Sequence, residues 1–205
     1  WVGLISIIAG SVLALNQKQI KRMLACSTIS HMGYLMVGLG LGTTTGIEGA
    51  VYHSLNHMLI KVGLFLCAGL MIKNIESGSI SRLKGFAKSQ PLIAWTFTIL
   101  SLSMIGIPPL NGFVSKWLLI LASLERGHII AVLAMLFGSG ISAIYYLRVI
   151  TTMFSMESRP VIYAKTSGLV NGLLIALVLG CFLLGQIPEN VFLYDWLAQI
   201  SFQLN

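Results

Sequence analysis

Two histidines and a lysine recur at intervals of four in the middle of an apolar run. The run covers residues 47–72 and contains His53, His57 and Lys61. Steps of four rotate a helix by only about 40°, so these side chains are predicted to project from one helix face as a single stripe. The run is long enough to cross a bilayer, and Lys61 lies near its middle. An ionisable group at that depth is costly and usually serves transport.

The other ionisable groups inside apolar runs are His31, Lys116 and Arg148. No Asp or Glu lies well inside any run, so the sequence predicts neither a carboxylate cage for a metal nor a nucleophile–base pair for hydrolysis. Histidine titrates near neutrality, and burial disfavours the charged form of lysine. Groups of these types can accept and release protons, which indicates a proton-transfer path.

Each of these residues also has a structural interpretation. The three histidines, His31, His53 and His57, could serve only as hydrogen-bonding groups between helices. The His-x-x-x-His pair could hold a metal if a third ligand joined it. Lys116 and Arg148 could extend their charged ends to the membrane interface, and for Arg148 this interpretation is favoured. The in-register spacing of the stripe favours a proton path over a metal site or simple helix packing.

The composition is that of an integral membrane protein. The 205 residues are 56% hydrophobic and 9% charged, with a mean hydropathy of +0.88, whereas soluble domains carry about 25% charged residues. The net charge of +7 comes mostly from short loops, where basic residues set topology, so no nucleic-acid partner is expected. Cys26, Cys67 and Cys181 lie inside apolar runs without metal-ligand spacing, which predicts buried thiols and no redox cofactor in this chain.

Six apolar runs predict six membrane spans, at residues 1–15, 23–42, 47–72, 92–124, 129–154 and 167–184. The first run is short and begins with Trp1, which we interpret as the C-terminal part of a longer protein. Residues 1–186 are predicted to form one transmembrane bundle. Residues 187–205, with Phe192, Trp196 and Phe202, are predicted to form an interfacial tail.

The loops alternate in charge, which predicts the orientation of the bundle. The loops on one side hold a basic set of residues, and those on the other side hold an acidic set with Arg126 as their only basic residue. The positive-inside rule places the basic set in the cytoplasm and both ends of the chain outside. His128 is expected to be solvated in an outer loop. The basic set is Lys18, Lys21, Arg22, Lys73, Arg82, Lys84, Lys88, Arg159 and Lys165, and the acidic set is Glu48, Glu125, Glu189 and Asp195.

The fourth run is too long for one straight helix across a hydrocarbon core of about 30 Å. Its centre contains Gly106 followed by Pro108 and Pro109, and consecutive prolines break a helix. Broken helices at membrane depth are tolerated within protein and mark ion sites in transporters. Lys116 follows the break by one turn, on the second half-helix.

Three blocks of this sequence resemble the antiporter-like subunits of respiratory complex I, of multisubunit sodium/proton antiporters and of membrane-bound energy-converting hydrogenases. They are residues 19–34 (QIKRMLACSTISHMGY), residues 53–65 (HSLNHMLIKVGLF) and residues 106–116 (GIPPLNGFVSK). The resemblance implies an all-α fold of roughly fourteen helices with inverted repeats, each containing one broken helix. This chain would supply about the last six, broken at 106–109, without the glutamate–lysine pair and central lysine of the earlier half.

The resemblance also assigns roles to single residues. It implies that Lys61 is the central relay lysine, that His53 and His57 are relay histidines and that His31 lies near the path. Lys116 matches the terminal lysine of an outward-connecting half-channel, a position where some members have glutamate. Lys21 matches a basic residue at a helix junction.

Three functions remain open at this point. The first is ion translocation within a redox-driven complex, with other antiporter-like and small membrane subunits, lipids and a cytoplasmic redox arm as partners. Iron–sulfur clusters and a flavin or nickel–iron centre are then expected on partner subunits, in the plasma membrane of a prokaryote or the energy-coupling membrane of an organelle. The second is a secondary sodium/proton antiporter, and the third is a structural scaffold without transport.

Overall fold

The computed structural model describes residues 1–156 and 166–186, and within them every regular element is helical. A one-turn 3-10 helix covers Ile80–Leu83. The predictions made for Arg159, Lys165 and the tail at 187–205, including Glu189 and Asp195, fall outside the described residues. The helices are α1 (Val2–Leu15), α2 (Ile20–Gly40), α3 (Thr44–Ile75), α4 (Phe86–Ser89), α5 (Pro91–Ile105), α6 (Asn111–Glu125), α7 (Ile129–Met153) and α8 (Gly168–Gly185).

Four of these helices, α2, α3, α7 and α8, are long and apolar enough to cross a membrane. Helices α1 and α5 are apolar but shorter. The predicted runs therefore all contain helices, and the predicted fold class of an all-α membrane bundle is confirmed. The chain is a multi-pass integral membrane protein.

Helix α3 lies at the centre of the bundle, where it contacts α2, α5, α6 and α8. Its 32 residues give a length of about 48 Å, well beyond a hydrocarbon core of about 30 Å. One face exposes Leu55, Met58 and Val62 by 45%, 61% and 53% of their surface. The opposite face buries the His53–His57–Lys61 stripe. Helix α3 therefore separates an apolar outer surface from a polar interior.

The predicted break separates α5 from α6. Gly106 adopts a left-handed conformation with φ of 94°, which a glycine accommodates without strain. Its N–H donates to Ser103 O at 3.0 Å, and the N–H of Ile107 donates to Leu102 O at 3.2 Å. This pair of bonds is the Schellman closure of a helix C-terminus. The chain then crosses Pro108 and Pro109 before α6 begins.

Helices α1 and α2 are in very close contact through small residues. A Cβ atom added to Gly33 would lie 2.6 Å from the carbonyl oxygen of Gly3. The backbone of Ser30 approaches Gly10 just as closely, and the Ser30 Oγ lies 2.8 Å from that of Ser11. Contact between backbones across small residues is the usual basis of helix association in membranes. It fixes α2 against α1 and thereby sets the position of the α2 face that carries His31.

Two loops meet at one end of the bundle. The N–H of Ile20 donates to Gly78 O at 2.9 Å, and the N–H of Ile80 donates to Lys18 O at 3.0 Å. The loops at 16–19 and 76–90, which hold most of the described basic loop residues, therefore lie together, and we call this the basic end. At the opposite end, Arg126 donates to Gly42 O at 3.2 Å. The assignment of the basic end to the cytoplasm stays a prediction.

Candidate functional site

A buried hydrogen-bonded chain connects α2, α3 and α6. The Nδ1 atom of His31 lies 3.1 Å from Nε2 of His53, and Nδ1 of His53 lies 2.9 Å from the Ser115 Oγ. Which atom donates in each contact depends on the histidine tautomers. All three side chains are buried. Both ring nitrogens of His53 are thus in use, one toward each neighbouring helix.

His57 adjoins this chain without extending it. The centroid of its ring lies 5.4 Å from that of His31 and 6.4 Å from that of His53. Its Nε2 atom is buried and has no hydrogen-bond partner in the described part of the chain. The ring borders a cavity of about 10 Å³ that Lys116 and Ser103 also line. That volume is about what one water molecule requires.

The ammonium group of Lys116 is held at the end of the preceding half-helix. Its Nζ atom donates to Met104 O at 2.8 Å, to Ile105 O at 3.0 Å and to the Ser139 Oγ at 2.9 Å. The centroid of the Tyr34 ring lies 5.1 Å away, within cation–π range. The side chain is only 6% exposed, so Lys116 faces the interior of the bundle instead of the membrane interface.

The two prolines explain why those carbonyl groups are free to accept. In an uninterrupted helix, the carbonyls of Met104 and Ile105 would accept from the N–H groups four residues later. Those residues are Pro108 and Pro109, which have no N–H. The C-terminus of a helix also carries partial negative charge, which favours a cation. The break therefore creates the site that holds the Lys116 ammonium.

The ammonium group of Lys61 contacts α2. Its Nζ atom donates to Leu24 O at 2.7 Å and to the Ser27 Oγ, which in turn lies 3.3 Å from the Tyr146 hydroxyl on α7. Lys61 is also only 6% exposed. All the hydrogen-bond acceptors found for the two buried lysines are uncharged.

Two asparagines connect α3 to the break, and we call them the asparagine clamp. Asn56 donates through Nδ2 to Asn111 O at 3.0 Å, and Asn111 donates through Nδ2 to Asn56 Oδ1 at 2.9 Å. The Ser103 hydroxyl donates to Asn111 Oδ1 at 2.6 Å and accepts from the N–H of Gly112 at 3.1 Å. The clamp joins the helix of the stripe to both sides of the break.

Two of the basic residues singled out from the sequence lie apart from this cluster. Lys21 is exposed in the first turn of α2, at the basic end, and does not reach the buried lysines. Arg148 directs its guanidinium to the turn between α1 and α2 at the basic end, and its interpretation as a side chain extended to the interface stays a prediction. Its guanidinium is partly buried and donates to Leu15 O at 3.1 Å and to Gln17 O. These bonds connect α7 to that turn. His128 is exposed, as expected.

Sequence reasoning missed the uncharged partners of the site. Ser27 and Tyr34 lie four residues before and three after His31, so a polar stripe on α2 could have indicated them. Tyr146 on α7 carried no comparable signal. Across residues 1–156 and 166–186, no group of three or more His, Cys, Asp or Glu side chains is placed to hold a metal ion.

Comparison with known proteins places this chain in a family. The sequence model described as NADH:quinone oxidoreductase/Mrp antiporter, TM, matches residues 1–142. The chain belongs to this family. All three blocks that carried the resemblance fall within the match, so the family predicted from them is confirmed.

Members of the antiporter family resemble this chain along most of its length. NADH-quinone oxidoreductase subunit N 2 of Solidesulfovibrio magneticus is 32% identical over 206 residues, which cover 100% of this chain and 43% of that protein. A Na(+)/H(+) antiporter subunit of Alkalihalophilus pseudofirmus is 39% identical over 142 residues, or 66% of this chain and 29% of that protein. The chain spans 31% to 43% of the length of the first curated relatives that it matches.

The fold of this chain also occurs in a solved member of the family. A chain in the structure of respiratory complex I from Thermus thermophilus with bound NADH matches it with a TM-score of 0.87 and 28% identity. The match covers 98% of this chain and 43% of that one. The bundle with its broken helix therefore has the architecture of part of an antiporter-like subunit of a larger membrane complex.

Proposed function

We propose that this chain forms part of the ion path of a membrane subunit that moves protons, or exchanges sodium for protons, within a redox-driven complex. The observation that carries the proposal is the pair of buried lysines with uncharged acceptors, with a hydrogen-bonded histidine chain packed between α2 and α3. A buried charge without a counter-charge is costly in a membrane and marks ion pathways.

The geometry supports transfer through the histidines. His53 has a partner on each ring nitrogen, so it can take a proton at one nitrogen and release another proton at the opposite one. His57 follows His53 by one turn of α3 and precedes Lys61 by one turn. His57 and Lys116 also line the same small cavity of about 10 Å³. In this proposal protons pass among His31, His53, His57, Lys61 and Lys116.

The partners follow from the same proposal. The basic end would face the cytoplasm, next to subunits that hold the iron–sulfur clusters and the flavin or nickel–iron centre. Other antiporter-like subunits, small membrane subunits and lipids would surround the apolar outer surface. A charge that moves in a neighbouring subunit would gate transfer from Lys61. The relatives named as NADH-quinone oxidoreductase subunits support the redox-driven complex in this proposal.

The test replaces each buried lysine by methionine in the full-length protein within its assembled complex. Lys61→Met and Lys116→Met keep much of the side-chain volume but remove the exchangeable proton. We expect redox-driven proton uptake into membrane vesicles to be lost in both, whereas Lys73→Met, at the exposed end of α3, keeps the parental level. Parental proton uptake per electron in both buried variants would show that the relay is wrong.

A second candidate function is a secondary sodium/proton antiporter without a redox partner. The 39% identity to the Na(+)/H(+) antiporter subunit supports it. Sodium efflux driven by a pH gradient, in vesicles without an electron donor, would favour this candidate. A scaffold role would be favoured if the lysine variants lost assembly of the complex but the assembled fraction kept parental coupling.

A further inference from the structure

We infer that Ser27 and Tyr146 form a second branch of the proton path, which starts at Lys61 and leads toward the basic end of the bundle. The inference rests on the proposed function, because it concerns how a proton reaches or leaves Lys61. The histidine chain lies on one side of this lysine. The branch lies on the other side and involves α2 and α7.

The contacts of Lys61 give the branch its first step. The ammonium group donates to the Ser27 Oγ and to Leu24 O, and no bond connects it to His57 on its own helix. The Ser27 Oγ lies 3.3 Å from the Tyr146 hydroxyl, and both side chains are fully buried. Lys61 is therefore directed toward α2 and α7 in this structure, away from the unpartnered Nε2 of His57.

A second tyrosine extends the branch. The rings of Tyr145 and Tyr146 are adjacent, with centroids 4.7 Å apart. The Tyr145 hydroxyl is buried and has no hydrogen-bond partner among the residues that the structure describes. Buried hydroxyl groups normally have a partner, so an exception needs an explanation. A hydroxyl that exchanges a proton with an incoming water is such an explanation.

Helix geometry gives the direction of the branch. Ser27 lies seven residues after the start of α2 at Ile20, and Tyr146 lies seven residues before the end of α7 at Met153. At 1.5 Å per residue, each lies about 10 Å from the basic end. Ser139, the α7 partner of Lys116, lies about 10 Å farther from that end on the same helix. The branch is thus the part of the polar interior that approaches the basic end.

The chemistry of the branch is a proton transfer in which each hydroxyl both accepts and donates. In the inward direction, the neutral amine of Lys61 takes the proton of the Ser27 hydroxyl. Ser27 takes the proton of the Tyr146 hydroxyl, and Tyr146 takes one from a hydrated proton that water carries in from the basic end, beside Tyr145. Each oxygen loses one proton and gains one, so the hydroxyls are unchanged and Lys61 becomes protonated. No oxidant or reductant is involved.

A purely structural role for the same residues makes a different prediction. The Ser27 hydroxyl also bonds to Leu24 O at 2.9 Å, as serines in helices often do. Ser30, three residues later on α2, is equally buried and bonds to Ser11 and Ile7 O, away from both lysines. Ser30→Ala is therefore the matched control for Ser27→Ala. Tyr52→Phe, which removes another buried tyrosine hydroxyl, is the matched control for Tyr146→Phe.

The experiment uses the full-length protein in its complex and measures protons moved per electron in membrane vesicles. We expect Ser27→Ala and Tyr146→Phe to lower this ratio as far as Lys61→Met does, because each removes a hydroxyl through which the proton would have to pass. Ser27→Thr keeps a hydroxyl and is expected to restore the ratio. The two controls are expected to keep the parental value.

The outcomes separate the branch from the proposed function. If Ser27→Ala and Tyr146→Phe keep the parental ratio while Lys61→Met loses it, the branch is wrong and the relay stands. If Lys61→Met and Lys116→Met also keep the ratio, the proposed function itself fails. If Ser27→Ala does not assemble, Tyr146→Phe, which keeps the ring, decides between the first two outcomes. A loss in Ser27→Thr as large as in Ser27→Ala would also count against the branch.

Discussion

The asparagine clamp predicts a measurable coupling between α3 and the break. The perturbation is a double-mutant cycle of Asn56→Ala, Asn111→Ala and the double variant. Asn56→Ala removes the donor to Asn111 O and the acceptor of Asn111 Nδ2. Asn111→Ala removes the bond between the two asparagine side chains and the acceptor of the Ser103 hydroxyl. Each variant therefore loses two bonds and leaves buried groups unpaired.

The expected magnitudes follow from those losses. A neutral hydrogen bond contributes about 1 kcal/mol net, and an unpaired buried polar group costs about 1–3 kcal/mol. We expect each single variant to lower the free energy of unfolding by about 2–4 kcal/mol. The bond between the two side chains is lost in both variants, so their effects are expected to be less than additive by about 1–3 kcal/mol.

The assay measures the free energy of unfolding of the full-length protein in detergent micelles by titration with a denaturing detergent. Asn74→Ala is the control, because the Asn74 amide donates to Leu70 O on its own helix at 2.8 Å and joins no second element. We expect that variant to lose no more than about 1 kcal/mol. Additivity of Asn56→Ala and Asn111→Ala within about 0.5 kcal/mol would refute the clamp.

Three further predictions concern packing, the first turn and orientation. Gly33→Ala is expected to lower the free energy of unfolding by about 1–3 kcal/mol, because the added methyl group would meet the backbone of α1. Gly40 lies on the same helix with open space around it, so Gly40→Ala is expected to leave the stability unchanged. Equal losses in the two variants would contradict the close contact between α1 and α2. Arg148→Ala is expected to cost about 1.5–3 kcal/mol in the same assay because the carbonyl groups of Leu15 and Gln17 lose its guanidinium donors, and no change would show that these bonds do not stabilise the turn. Ser81 and Thr44 are exposed at opposite ends of the bundle. In a cysteine-free background, Ser81→Cys is expected to react with an impermeant maleimide from the cytoplasmic side and Thr44→Cys from the outer side. The reverse pattern would invert the assigned orientation.

The features predicted well from the sequence are those that depend on local chemistry. The stripe on α3 follows from a spacing of four in an apolar run, and one helix satisfies it without reference to any other part of the chain. The break at Gly106 follows from the missing N–H groups of Pro108 and Pro109, which is a property of those residues alone. Both features were predicted from a few neighbouring residues because those residues alone determine them.

The partners of the lysines could not be predicted in the same way. Ser27 and Tyr146 are 119 positions apart in the chain, and their contact depends on how α2 and α7 pack. Periodicity indicates which face of a helix is buried but not which residue of another helix meets it. Arg148 shows the same limit, because its depth along α7 indicated the interface but did not identify the carbonyl group of Leu15, at the end of α1, as its partner.

The position of Lys116 relative to the break makes the joint at residues 106–110 a mechanical element. The lysine is attached to α6, but two of the oxygen atoms that hold its charge belong to the end of α5. Any bending of the joint therefore changes the distance between the charge and those oxygens, and so changes how firmly the proton is held. By reciprocity, gain or loss of that proton exerts a force on the joint. Bending at this short proline-containing segment is thus coupled to the protonation of Lys116. Helix α3 is attached to the same segment through the asparagine clamp.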